Sequence, residues 1–317
     1  MPPSVVADPA DTIAEPAPDL PIPNEEPRTP SRAARAATLA AILIPLLGTV
    51  AAMASVWGWG FTWTDFWLLF GAYLLTGFGI TVGFHRLFSH KSFETGKPLE
   101  FAWGALGSMA VQGSLLTWVA MHRVHHQFSD QKRDPHSPNG HGGGVLGVLK
   151  GFFHAHVGWA FKRSPVKADR YITDLKKRRL ARVVDSLFPV WVLIGLAIPA
   201  SIGGLVTLSW GGVLRGLLWG GLVRVFLVHH ITWSVNSVCH LWGSRPYPQK
   251  DLSRNNFLFG VLALGEGWHN NHHAFPTSAR HGLRWWQFDP SYVVIWTMEK
   301  LGLVWKVRRP AAEPALA

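Results

Sequence analysis

The sequence predicts an all-α integral membrane protein: four transmembrane helices with a cytosolic helical cap that holds a histidine-rich dimetal site. Three observations predict this. Four apolar stretches reach the roughly 20 residues that a helix needs to cross a bilayer. Lys and Arg gather on the segments that one face of such a membrane would carry. Most of the 16 histidines fall in short clusters on that same face. Composition agrees, with 48% apolar residues and 15% charged among 317, where an average soluble domain is about a quarter charged. A soluble helical protein with buried helices is the weaker alternative. The single cysteine excludes an internal disulfide framework and any cysteine-based zinc or iron–sulfur site. A net charge of +11 with 17 tryptophans points to lipid surfaces rather than nucleic acid.

Residues 1–30 are rich in Pro and Ala, and six carboxylates precede the first base, Arg28. Such a segment buries too little apolar surface to offset its ordering entropy, so a disordered leader is expected. It lacks the basic start and apolar core of a secretory signal. The membrane domain is expected over 31–309, with a loose tail, PAAEPALA, over 310–317. The spans are placed near 37–57, 62–83, 186–208 and 212–235. A fifth apolar stretch, 101–120, carries Gln112, Ser114 and Thr117 and reads as a helix half-sunk beside the others.

Charge decides that point. Arg28, Arg32 and Arg35 precede span one, while the connections GWGFT and TLSWGG carry no charge. Sixteen Lys and Arg lie between 84 and 185, and nine follow residue 240. The positive-inside rule then places both termini and the 84–185 segment in the cytoplasm, which demands an even number of spans.

The histidines cluster on that side. HRLFSH gives His85 and His90, and HRVHH gives His122, His125 and His126. NSVCH gives Asn236 and His240, and GEGWHNNHH gives His269, His272 and His273. Positions i, i+3 and i+4 share a helix face, so each HxxHH triplet is expected to aim at one place. His85 and His90 are five apart and are expected to lie across a bend that Gly83 permits. Nine imidazoles without a cysteine describe a transition-metal site. Nine exceed what one ion can use, so two ions are the natural count.

These residues resemble a known family. HRLFSH, HRVHH and GEGWHNNHHAFP, in this order, are similar to the three histidine boxes of the membrane fatty-acid desaturases. The nearest type is the Δ9 acyl-CoA (stearoyl-CoA-type) desaturases and their bacterial relatives. TWSVNSVCHLWGSRPY, RDPHSP and HAHVGW fit as well, and the resemblance runs from about residue 40 to about 300. It implies four spans with cytosolic termini in a bacterial cell membrane. It implies two iron ions (Fe2+) held by the nine histidines, with Asn236 reaching one through water. The implied reaction removes hydrogen from two adjacent methylenes of a saturated C16–C18 acyl chain and reduces O2 to water. No cytochrome-like or flavin-binding segment is visible, so electrons would come from a separate donor of the ferredoxin and reductase type. The positions that match the family's kinked tunnel are Gln112, Thr232 and Trp233, with Trp118 a weaker candidate.

Other residues follow from this frame. Asp134 and Glu266 are candidates to orient ligand histidines, since such histidines usually donate their second N–H to a carboxylate or carbonyl. His136, His154 and His156 are expected to support the ligands or line the substrate entrance, and His229 to face the tunnel. Cys239 reads as a small buried side chain. RYITDLKKRR at 170–179 reads as a basic interfacial helix, with docking of an acidic electron carrier as the sharper alternative. The animal enzymes carry an Arg-Asp pair before box two. Ala120 and Met121 stand here instead, which leaves CoA-linked and lipid-linked substrates both open. Lys162 and Arg163 are candidates for phosphate contact. The glycine-rich insertion 137–150 reads as a flexible loop, with a cap over the head-group entrance as the sharper alternative. The rivals are a related diiron hydroxylase, an acyl-lipid desaturase and, more remotely, a metal transporter. A transporter would line its spans with ionisable residues, and only Arg215, Arg224, His229 and His230 qualify.

Overall fold

The computed structural model describes residues 31–162 and 168–310. The expected leader, Arg163 and all of the tail but Pro310 lie outside the described residues. The chain is mostly helical: α1 (Arg32–Trp59), α2 (Trp63–Phe78), α3 (Lys97–Ser108), α4 (Leu115–Phe128), α5 (Gly144–His156), α6 (Thr173–Lys177) and α7 (Arg179–Ser186). After them come α8 (Phe188–Thr207), α9 (Trp210–Gly216), α10 (Arg224–Ser237), α11 (Phe257–Leu262), α12 (His269–Ala274) and α13 (Pro290–Lys300). Two-residue strands β1 (Glu94–Thr95) and β2 (Val304–Trp305) pair antiparallel, with Glu94 opposite Trp305, and tie the end of the described chain beneath box one.

Among the described residues, four helices are long and apolar enough to cross a membrane: Arg32–Gly58, Trp63–Ser89, Phe188–Thr207 and Trp210–His240. Their outward faces are apolar, as at Leu47, Trp67, Leu193 and Leu205, each at least 60% exposed. A lipid-facing surface requires this. The second span begins with a capping box in which Thr62 and Asp65 satisfy each other's backbone N–H groups.

Spans two and four run past the stretches read from hydropathy. Span two continues from α2 through a π-helical segment, Gly79–Ser89, and span four through π-helical Leu217–Val223, α10 and a short 3₁₀ turn to His240. The apolar count ends where the helix leaves the lipid, but the helix does not. His85, Asn236 and His240 therefore ride on rigid extensions of the spans. Gly83 does not mark a bend. A Cβ there would sit 2.8 Å from the Trp103 carbonyl oxygen, so the glycine lets α3 pack against the π segment.

The 101–120 stretch is not a span. α3 ends at Ser108, and α4 starts at Leu115 after an irregular link with positive φ at Val111 and Gly113. Irregular backbone at membrane depth must find partners within the protein. Span four supplies them. Arg224, fully buried, donates to the Met109 carbonyl (2.5 Å) and to that of Gly195 (2.8 Å). His229 Nε2 lies 3.1 and 2.9 Å from the carbonyls of Ala110 and Val111. This corrects the expectation that His229 faces the tunnel: it fastens the half-sunk link. Arg215 pairs with the buried Asp65 of span two. His230 bonds His156, so all four ionisable groups raised for a transport pathway serve internal contacts.

Candidate metal centre

The π-helical turn is what brings box one together. Its bonds run from i to i+5, as in His90 N–H to the His85 carbonyl at 3.1 Å. The wider turn carries His90 back over His85, with ring centroids 4.8 Å apart. No chain bend is needed.

The nine histidines converge, but in two groups. One nitrogen each from His85, His90, His122, His126 and His272 lies within 4.8 Å of every other. His125, His240, His269 and His273 form a second group on the same criterion. Neither HxxHH triplet aims at one place. Residues i and i+4 lie about 40° apart on a helix, whereas adjacent residues lie about 100° apart. The pair His122/His126 therefore enters the first group and His125 the second. The pair His269/His273 enters the second and His272 the first. Boxes two and three each contribute to both groups, whereas box one contributes to the first alone.

The ring nitrogens face one another. Nε2 of His272 lies 3.0 Å from Nε2 of His85 and 2.9 Å from that of His126. His90 and His122 approach at 2.7 Å, and His240 and His269 at 3.0 Å. Nε2 of His125 and of His273 is buried without a hydrogen-bond partner. Lone pairs turned inward on a shared point, with no sulfur among them, suit iron, zinc or copper. The donor set fits two such ions.

Carboxylates hold the opposite edges of four rings. Nδ1 of His85 meets Glu266 at 2.6 Å, and Nδ1 of His125 meets Asp134 at 3.0 Å. Nδ1 of His240 meets Asp130 at 2.8 Å, and Nδ1 of His273 meets Asp251 at 3.0 Å. A carboxylate at Nδ1 keeps the proton there and turns the Nε2 lone pair inward. Burial opposes ionisation of Asp134, yet His125 beside it carries the carboxyl well below the usual carboxylate range. Burial likewise opposes ionisation of Asp130 and Asp251, and His240 and His273 overcome it. Burial, then neighbouring imidazoles, pushes His122, His126, His269 and His272 well down, so these rings are neutral donors at neutral pH. Burial also pushes His125 down, but the Asp134 carboxylate more than reverses that effect.

Asp130, Asp251 and His281 have no signature in the sequence. They meet the histidines only through the folded chain. His281 is buried between Glu266 and Arg86, 3.2 Å from each, and its ring lies against His272. Arg86 is fully buried and pairs with Glu266 and Asp289. Of the residues named as supports, His136 lies with its ring 4.4 Å from His125 and its backbone N–H on Asp134. His154 packs against His141 instead. His156 bonds His230 (2.9 Å) and Ser237 (3.1 Å), away from all nine histidines. Its expected support of the ligands is corrected: it pins α5 to span four. The 170–179 run is not one helix, because the chain breaks at Arg178 between α6 and α7. There Asp174 takes Arg123 (2.8 Å) and Lys91 (2.9 Å). Cys239 is buried.

An apolar pocket reaches the histidines between spans two and four. Ile80, Val228, Ile231 and Val235 line its walls, and His85, His122, His125 and His269 stand in it. Asn236, Thr232 and Trp118 also line it, while Gln112 and Trp233 do not. Gln112 stands behind the wall, donating to Thr232 Oγ1 (3.0 Å) and accepting from Trp118 Nε1 (3.3 Å). Trp118 in turn stacks on His122 at 5.1 Å and 18°. Trp233 packs on His229 and His230.

A family model described as Fatty acid desaturase matches residues 61–307, from the second span to β2. The chain belongs to the fatty acid desaturase family. Relatives place this desaturase among enzymes of varied specificity. It is 42% identical over 273 residues to a hex-5-enoyl-[acyl-carrier protein] acetylenase of Moorena producens, covering 86% of this chain and 85% of the relative. It is 40% identical over 256 residues to an acyl-CoA C20 Δ5-desaturase of Anemone leveillei, covering 79% and 76%. It is 40% identical over 261 residues to an sn-1 stearoyl-lipid 9-desaturase of a Synechocystis species, covering 81% and 76%. The desaturase is thus an oxidoreductase of lipid metabolism, with histidine groups able to hold metal beside an apolar cavity.

Proposed function

We propose that this desaturase introduces a cis double bond at the Δ9 position of a saturated C16–C18 acyl chain, using O2 and two electrons from a separate ferredoxin-type donor. The single observation that carries the reading is that one apolar cavity holds histidines of both groups. An acyl chain in that cavity has its methylenes beside nitrogen donors.

Two iron ions are the proposed cofactors, one for each histidine group. Bound there, they supply the reaction with O2 that removal of hydrogen from an unactivated methylene demands. The five-histidine position is assigned His85, His90, His122, His126 and His272. The four-histidine position is assigned His125, His240, His269 and His273, with Asn236 reaching it through water. Glu266, Asp134, Asp130 and Asp251 keep protons on Nδ1 and leave Nε2 free to ligate. Ile80, Val228, Ile231 and Val235 exclude water and grip the chain by its apolar surface, which is worth about 0.8 kcal/mol per buried methylene. Gln112 braces Thr232 and Trp118, so the wall on which the chain rests is fixed relative to His122.

The chain is assigned to a bacterial cell membrane with both termini and the histidine cap in the cytoplasm. The supporting observation is charge, since the connections on the other side, GWGFT and TLSWGG, carry none. A lipid-linked acyl substrate is the second reading. Ala120 is buried and uncharged where the animal enzymes place an Arg-Asp pair, and so cannot meet a CoA phosphate. The test is expression with a ferredoxin and reductase in a host that lacks Δ9 desaturation, beside His125→Ala. A Δ9 monoene in the wild type alone is expected. A hydroxylated fatty acid in its place would move the assignment to the hydroxylase reading.

A further inference from the structure

The two histidine groups differ in the charge around them. The four-histidine group has three carboxylates on its rings: Asp130 on His240, Asp134 on His125 and Asp251 on His273. The ion pairs of these carboxylates run to histidines. Their other partners are neutral: Ser137, Asn139 and the Leu252 N–H for Asp130, the N–H groups of Asp130 and His136 for Asp134, and the Ser253 N–H for Asp251. Arg245 reaches Asp251 only at its backbone carbonyl.

The five-histidine group is balanced. Its one carboxylate partner, Glu266 on His85, is paired with the buried guanidinium of Arg86, which Asp289 also holds. Arg123, which donates to the Ser89 carbonyl beside His90, is paired with Asp174. Exposure differs in the same sense. All four histidines of the second group are buried, whereas His122 and His126 of the first are half-buried.

We propose that the two metal positions are unequal, the four-histidine position being the tight one. It fills first and empties last, because Asp130, Asp134 and Asp251 give it three negative charges that no Lys or Arg side chain pairs with among the described residues. This rests on the reading that both groups hold metal. A negative charge one hydrogen bond behind a ligand makes that ligand a stronger donor and attracts the cation directly. Each such partner is worth roughly 10- to 100-fold in metal affinity. Three of them, against one carboxylate already matched by an arginine, outweigh the fifth imidazole. The half-buried pair also gives a chelator its way in at the five-histidine position.

The test loads the purified full-length protein with Co2+ and withdraws the metal with increasing EDTA. Metal per chain is read by mass spectrometry. Two ions per chain are expected at saturation, followed by a plateau near one during chelation. The ion at the plateau should be missing from His240→Ala. His90→Ala should lose the early phase and leave the plateau. Asp251→Asn, which keeps a hydrogen-bond acceptor and removes the charge, should shift the late phase to roughly 10- to 100-fold lower EDTA. A plateau ion that survives His240→Ala but is lost in His90→Ala, or loss of both ions in one phase, would overturn the proposal. Saturation at fewer than two ions in the wild type would instead sink the two-metal reading beneath it.

Discussion

Gln112→Leu separates a working cavity wall from an inert one. Leucine has nearly the right size and no polar atom. The substitution removes the bonds from Nε2 to Thr232 Oγ1 (3.0 Å) and the Val228 carbonyl (3.3 Å), and the one from Trp118 Nε1 to Oε1 (3.3 Å). The Thr232 hydroxyl can turn back to the carbonyl four residues earlier on its own helix, so its loss is small. Trp118 has no such recourse, and a stranded N–H costs about 1–3 kcal/mol. Trp118 stacks on His122, so a shift that relieves the stranded group moves a ring of the five-histidine group. If that cost falls on the productive complex, kcat/KM drops about 5- to 150-fold, and the double bond spreads to neighbouring positions. Thr232→Val should cost less, about 0.5–1.5 kcal/mol. The double variant should match Gln112→Leu alone, because the two act through one network. The assay is product analysis by mass spectrometry beside steady-state kinetics. Unchanged kcat/KM with a single double-bond position, or strictly additive effects, would refute the reasoning.

His229→Phe strands the carbonyls of Ala110 and Val111. It should lower thermal stability by about 1–3 kcal/mol in a melting experiment while the double-bond position stays unchanged. Arg86→Met leaves the buried carboxylates of Glu266 and Asp289 without their guanidinium. The expected loss is about 3–5 kcal/mol, with reduced metal content by mass spectrometry. Burial, then His230, pushes His156 down to about 4. A folded pKa below the unfolded one gives stability that is complete above about pH 6.5 and is lost as pH falls through about 4. The stability gap between wild type and His156→Phe should therefore shrink on acidification over that window.

Much of this architecture is legible in the sequence because it follows from apolar length and charge. The four spans and the half-sunk 101–120 stretch were readable that way. The span ends were not, because α2 continues into the cap through turns of i to i+5 that leave no periodic mark in eleven residues. The histidines could be named from spacing but not partitioned. The roughly 100° between His125 and His126, which sends them to different groups, matters only once two points of convergence exist. Asp130 and Asp251 were invisible because they reach His240 and His273 across 110 and 22 residues of chain. His229 was misread because the carbonyls it serves belong to a link whose irregular backbone hydropathy does not reveal.

The central claim is that the two histidine groups perform desaturation through bound iron on a chain held in the adjoining cavity. The most direct test strips metal from the purified enzyme with a chelator and restores either Fe2+ or Zn2+. Conversion of stearoyl substrate to the monoene is then followed in the presence of O2, a ferredoxin and its reductase. The account predicts loss of activity on stripping, return with Fe2+ and none with Zn2+. Activity that persists in the stripped enzyme, or returns equally with Zn2+, would contradict it.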